Sequence, residues 1–174
     1  MIRDIFYKIK LKISNPTERA ALLKRRGMNI GEGCEIYQNV AFGSEPYLIE
    51  IGNKVRITNG VKFITHDGGM WVLRNKGLLS NADSFGRIII GNNVHIGINS
   101  IIMPGVIIGD NVVIGVGSVV TKNVKSNTIV CGVPAKEIKS LESYYEKHSK
   151  ICDYTKSFSY KEKKQYLLKK YKIQ

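Results

Sequence analysis

An apolar residue returns at every sixth position through the middle of this chain, and that interval restricts its possible folds more than any other feature. From residue 90 to 125 the series is Ile90, Ile96, Ile102, Ile108, Ile114 and Val120. Four residues after each comes a small or β-branched side chain: Val94, Ser100, Val106, Val112, Ser118 and Val124. An amphipathic helix or a hairpin meander would scatter such a series over several faces, because six is a multiple of neither 3.6 nor a simple strand-turn spacing. A coil with three short strands per turn keeps the apolar residues inside. Three hexads make a turn of eighteen, and residues eighteen apart do match: Ile90 with Ile108, Gly91 with Gly109, Asn93 with Asn111, Val94 with Val112, Gly97 with Gly115, Ser100 with Ser118. The expectation is a mainly β chain, a solenoid of parallel strands around a narrow apolar prism. Gly and Asn would form its corners, and turns would stack at about 4.8 Å.

Four segments opening Ile-Gly extend the repeat: IGEGCEI at 30, IGNKVRI at 51, IGNNVHI at 90 and IGDNVVI at 108. Residues 30–47 and 51–68 read as two earlier turns, offset by a three-residue insertion at Leu48, Ile49 and Glu50. Residues 69–86, GMWVLRNKGLLSNADSFG, are too polar and irregular for a turn, and so long an interruption is expected to carry function. Both ends read as helical. Asn15, Pro16 and Glu18 form an N-terminal cap before ALLKRR, Gly27 closes that helix, and Ile2, Ile5, Phe6, Ile9 and Ile13 mark one face of an earlier one. Residues 140–149 and 159–171 read as polar helices, the second opened by Ser159 and Glu162. The predicted domains are a helical segment at 1–27, a coil domain at 28–138 with an excursion loop at 66–86, and a helical tail at 139–174.

The formal charge of +13 suggests nucleic acid only until its distribution is considered. Residues 1–27 hold eight Lys/Arg against two acids and residues 136–174 eleven against five, whereas residues 28–135 hold eight against seven. No basic stripe crosses the central domain, which argues against a nucleic-acid groove. The basic ends read as solvated helix faces, with contact to an anionic membrane as the second reading. Cys34, Cys131 and Cys152 are odd in number and widely spaced, unlike a disulfide framework or a zinc knuckle. No apolar run is long enough to cross a bilayer, so the chain is expected in the cytoplasm, or at the inner face of the membrane.

The stretch IIIGNNVHIGINSIIMPGVIIGDNVVIGVGSVVTKNVKSNTIVCGVPAKEI, residues 88–138, resembles the hexapeptide-repeat acyltransferases, with its ending GSVVTK … GVPAK more specific than the hexads. The resemblance is closest to the branch holding maltose, galactoside, xenobiotic and capsular-polysaccharide acetyltransferases. It implies a left-handed parallel β-helix, a homotrimer, and acetyl-CoA as cosubstrate between neighbouring prisms. The implied reaction is O-acetylation of a sugar or polysaccharide hydroxyl with a histidine as general base.

Three histidines compete for that role. His148, in SYYEKHSK, reads as a surface residue. His66, in FITHDGGMW, lies where the coil gives way to the excursion, as the resemblance to xenobiotic and capsular-type members implies for the catalytic base. His95 points outward from its hexad and is a candidate for substrate contact. The galactoside-type pattern, as the resemblance gives it, would put a histidine at the position held by Asn99, so the burden falls on His66 and Asn99 is left as a candidate for substrate contact. Asp67 either orients an imidazole, contacts acceptor hydroxyls or forms a turn before Gly68 and Gly69. Trp71 offers a face for a sugar or adenine, or anchors its loop. For acetyl-CoA the resemblance points to Gly115, Gly117, Ser118 and Thr121 along the pantetheine arm, and to Lys136 and Lys139 for phosphates.

Other readings stay open at this stage. The γ-class carbonic anhydrases share such a coil but need three histidine ligands with a paired spacing, and His66, His95 and His148 are 29 and 53 residues apart, so no metal is expected. N-acetylation of an amino sugar, or serine acetylation, is close in chemistry. A non-catalytic solenoid scaffold would be a different class altogether.

Overall fold

Strands of only two or three residues, one per hexad, build the body of the protein, because each face of the prism has room for a single inward side chain and its neighbour. The structure is a computed structural model that describes residues 2–173, side chains of 2–5 and 8 excepted. Helices α1 (Ile2–Ile13) and α2 (Pro16–Arg25) precede β1 (Asn29–Ile30), β2 (Glu35–Ile36), β3 (Ile49–Ile51), β4 (Arg56–Ile57) and β5 (Lys62–Phe63). After α3 (Met70–Asn75) come β6 (Ile88–Ile90), β7 (His95–Ile96), β8 (Ile101–Ile102), β9 (Ile107–Ile108), β10 (Val113–Ile114) and β11 (Val119–Val120). The chain ends with β12 (Thr128–Gly132), β13 (Ala135–Ser140), α4 (Leu141–Ser149) and α5 (Tyr160–Lys170).

These strands form three sheets, ordered β1-β3-β6-β9, β13-β12-β10-β7-β4-β2 and β11-β8-β5, which the chain visits in rotation. Every strand pair is parallel except β12 with β13. Ile96 faces Ile114, eighteen residues on, as the hexads predict. The other steps differ: Ile36 faces Ile57, Ile57 faces Ile96 and Ile114 faces Val130, steps of 21, 39 and 16. Two findings correct the sequence reading. Ile49 and Glu50 belong to β3, opposite Ile88 and Ile89, so the inserted residues lie earlier, in the turn that ends at the short helical turn Pro46–Leu48. Val124 bridges Ile108 and so takes a strand position rather than the row of Val106, because the last turn is two residues short.

The side chains of Ile36, Ile57, Ile96 and Ile114 form one fully buried column through the turns. The Ile-Gly signature has a steric cause: a Cβ on Gly52 would sit 2.6 Å from the carbonyl oxygen of Gly91 in the next turn. At the following corner Asn93, Asn111 and Asn127 have φ of 54°, 56° and 61°, a conformation Asn tolerates and most residues do not. Their amides form a ladder, Asn93 Nδ2 donating to Asn111 Oδ1 at 2.8 Å and Asn111 Nδ2 to Asn127 Oδ1 at 3.0 Å.

The N-terminal helices end the stack with a charge where the sequence suggested a solvated face. Arg19 is buried, at 6% exposure, and donates Nε to the Leu11 carbonyl at 2.9 Å and Nη1 to the Ile36 carbonyl at 2.7 Å. It thereby joins α1 to the first strand of the second sheet, and desolvation lowers its pKa. Asn15 and Glu18 cap α2 reciprocally as expected. Residues through Glu142 form one compact unit and those from Ser143 another. In the second, Asp153 accepts from Tyr166 at 2.6 Å and from Lys170 at 2.5 Å, and Ser159 with Glu162 caps α5. Among the described residues no helix is long and apolar enough to cross a membrane.

Candidate active site

His66 stands at the corner where the third sheet hands the chain on to the first, immediately after β5. The excursion is pinched shut beneath it: His66 bridges Phe85, the Asp67 N–H donates to the Ser84 carbonyl at 2.8 Å, and the Gly86 N–H donates to the Thr65 carbonyl at 2.9 Å. The ring is thus held by backbone on the stack side while 44% of its side chain stays exposed. Its Nδ1 lies 3.1 Å from Glu45 Oε2, and the same oxygen accepts from Thr65 Oγ1 at 2.6 Å. Hydrogen bonds from Thr65, Ser44 and His66 hold the Glu45 carboxyl down at about 2. A carboxylate so firmly ionised can only accept, so in the neutral imidazole Nδ1 carries the hydrogen and Nε2 the lone pair.

Glu45 escaped the sequence reading, although its signal was present. Ile30 and Ile51 stack across a step of 21 residues, and the same step carries residue 45 to residue 66. Testing polar residues at that offset, and not only apolar ones at eighteen, would have paired them.

The other predicted residues are dispersed. Asp67 Oδ1 accepts from the Gly69 N–H at 2.8 Å, so Asp67 shapes the turn into α3, and the carboxylate on the His66 ring is that of Glu45 instead. Trp71, on α3, is 64% exposed. His95 lies on β7 between Arg56 and Val113 in the second sheet, where it lines a groove of about 450 Å³ with Glu35, Asn93 and Asn111. Burial, and secondarily the Arg56 charge, lower its pKa. Asn99 has φ 57° and donates its N–H to the Asn59 carbonyl at 3.0 Å, so it serves as a corner. His148 is half-buried, its ring centroid 4.1 Å from that of Tyr144.

Gly115, Gly117 and Ser118 occupy the corner between the second and third sheets. The N–H groups of Gly115 and Gly117 already donate to Val130 and Ile98, at 2.8 and 2.7 Å. Ser118 turns inward, its hydroxyl donating to the Gly115 carbonyl at 2.6 Å. Thr121 is exposed just beyond β11. Lys136 and Lys139 lie on β13, the edge strand of the second sheet, opposite Cys131 and Ile129. Within one chain, then, Thr121 follows the third sheet at the corner that His66 occupies, two turns on, whereas Gly115, Gly117 and Ser118 lie at another corner and Lys136 and Lys139 on the edge of the second sheet. Among the described residues no group of three or more His, Cys, Asp or Glu is placed to hold a metal ion.

Residues 87–122 match the family described as bacterial transferase hexapeptide (six repeats). Over 167 residues the chain is 55% identical to Protein CapG of Staphylococcus aureus, a likeness covering 95% of this chain and 96% of that one. It is 38% identical over 130 residues to the galactoside O-acetyltransferase of Escherichia coli K12, covering 74% of this chain and 62% of that protein's length. Its fold is similar to that of a hexapeptide-repeat acetyltransferase of Vibrio cholerae O1 biovar eltor solved with acetyl coenzyme A. That likeness has a TM-score of 0.59 and 26% identity, and covers 78% of this chain and 84% of that one. The steric repeat, the three sheets of stacked short strands and these likenesses lead to one conclusion: the chain belongs to the hexapeptide-repeat acyltransferases and is an acetyl-CoA-dependent acetyltransferase.

Proposed function

We propose that the protein is an O-acetyltransferase that moves the acetyl group of acetyl-CoA to a hydroxyl of a sugar or surface polysaccharide, working in the cytoplasm as a homotrimer of left-handed β-helices. The observation that carries this reading is the Glu45–His66 pair, an oriented imidazole with a free Nε2 at an open corner. In the reaction Nε2 takes the acceptor's hydroxyl proton as its oxygen attacks the thioester carbonyl. The tetrahedral intermediate collapses with loss of the C–S bond, and the imidazolium returns the proton to the departing thiolate, giving an acetyl ester and free coenzyme A. Glu45 stabilises the imidazolium while it lasts. The exposed ring of Trp71 suits the apolar face of a sugar. The likeness to a galactoside O-acetyltransferase supports the choice of a sugar hydroxyl.

The separation of His66 from Lys136 and Lys139 supports a site completed between protomers, with the lysines of one chain holding coenzyme phosphates beside His66 of the next. His66→Ala alone, and Lys136→Glu with Lys139→Glu, are each expected to be nearly inactive in thiol-release assays with sugar acceptors. In any mixed trimer of the two, one of the three cyclic interfaces pairs an intact His66 with intact lysines, so random assembly restores about a quarter of all sites, parental trimers included. Mixed trimers that form, shown by copurification of two tags, yet stay as inactive as their parents would refute the shared site.

A further inference from the structure

We propose that α1 is an interfacial anchor that seats this protein on an anionic lipid surface. The helix has two opposed faces. At about 100° per residue, Tyr7 and Leu11 fall on one side. The Arg26 guanidinium lies 4.1 Å from the centroid of the Tyr7 ring, and Leu11 lines a hollow with Leu23, Val40 and Phe42. Backbone contacts fasten this side further: the Leu11 carbonyl accepts from Arg19 and the Lys12 carbonyl from Gln38 Nε2, at 2.9 and 3.0 Å. α1 is therefore clamped to the end of the stack.

Phe6, Ile9 and Ile13 fall on the opposite side, within about 60° of one another. They are 68%, 50% and 79% exposed, where an ordinary soluble helix would present polar groups. Lys10 and Lys12, both exposed, stand at the two borders of this stripe. Large apolar side chains bordered on both sides by flexible cations suit a helix lying in the plane of a membrane interface. The apolar groups enter the acyl boundary while the lysine stems reach back to the headgroups. The charge decides between occupants. Two copies of α1 packed face to face would bring their lysine borders together, like sign to like. Anionic headgroups would neutralise them, and apart from the buried Arg19 the first 27 residues hold seven Lys/Arg against two acids.

The test is flotation of the full chain with vesicles of phosphatidylglycerol mixed into phosphatidylcholine, against phosphatidylcholine alone. Binding is expected to the anionic vesicles at low ionic strength and to weaken as salt is raised. Lys10→Gln with Lys12→Gln should lower the partition coefficient about thirtyfold, and Phe6→Ser with Ile9→Ser and Ile13→Ser should abolish flotation with the thermal melt unchanged. Absence of flotation on anionic vesicles, or equal flotation of the triple variant, overturns the proposal. So does a wild-type assembly that the triple variant breaks into smaller species without any vesicle binding, since the face would then belong to a second copy. None of these readouts depends on catalysis, so the outcome is separate from that of the proposed reaction.

Discussion

The turns between β6 and β11 and the corner below β5 are made from the same kind of sequence and do opposite work. In the first region strands pair at a constant step of eighteen, as in Ile96 with Ile114 and Ile102 with Val120. Inward side chains there are core, and the corner amides satisfy one another in ladders. At the corner below β5 the repeat is broken twice, by the short insertion that carries Glu45 and by the excursion that opens at His66. There Thr65, Glu45 and His66 meet in hydrogen bonds that no apolar repeat requires. A repeat that satisfies itself leaves no group over for chemistry. Interrupting it frees side chains while the neighbouring turns still hold their backbone rigid.

That contrast can be broken by mutation. The largest effect expected is on the chemistry alone: His66→Ala lowers kcat by about two to four orders of magnitude, the usual worth of a general base, with acetyl-CoA affinity and the thermal melt unchanged. A His66→Ala protein that keeps its turnover, or loses it only by unfolding, ends the distinction between the regions. The mirror experiment is Ile96→Ala in the regular turns, which empties a fully buried site and costs about 2–5 kcal/mol. Denaturant titration measures it, and the surviving folded fraction should turn over at the normal rate per site.

Glu45→Gln sharpens the comparison at the corner itself. It is expected to lower kcat by about one to three orders of magnitude while KM for acetyl-CoA stays put, because an amide can donate as well as accept, so the imidazole loses its fixed tautomer and the negative charge that stabilises its protonated form. A pH titration supplies a signature that simple loss of packing would not. The Glu45 carboxyl lies at about 2 in the folded chain against an ordinary 4.5. The unfolded state therefore binds more protons between these values, and the stabilisation is complete above pH 4.5 and fades as the pH falls toward 2. In Glu45→Gln that acid-side slope should shrink, and an unchanged slope would show that the carboxylate is not held as described.

The smallest effect belongs to a flaw in the regular pattern. Lys54 has φ 55° in the column where Asn93 and Asn111 take the same conformation. Lys54→Asn should add about 0.5–1 kcal/mol of stability without touching kcat. Loss of stability would mean that the lysine stem, which packs near Gly33, matters more than its backbone strain.

The recurrence of Ile and Val at intervals of six was enough to determine the three-sided stack, since only one coil geometry buries all of those side chains together. The position of His66 at a break in that recurrence was equally legible, and so were the caps at Asn15 and Ser159, because each depends on residues close in sequence. Only the tertiary structure decided the rest. It moved the insertion ahead of Ile49, set Val124 over Ile108, buried Arg19 against the Ile36 carbonyl and brought Glu45 to His66. The physical reason is the difference between the two kinds of force. Apolar burial is non-directional and leaves a periodic trace along the chain. A hydrogen bond between turns depends on which single residue the local step of 16, 18, 21 or 39 places opposite another, and that step is known only once the turns are stacked.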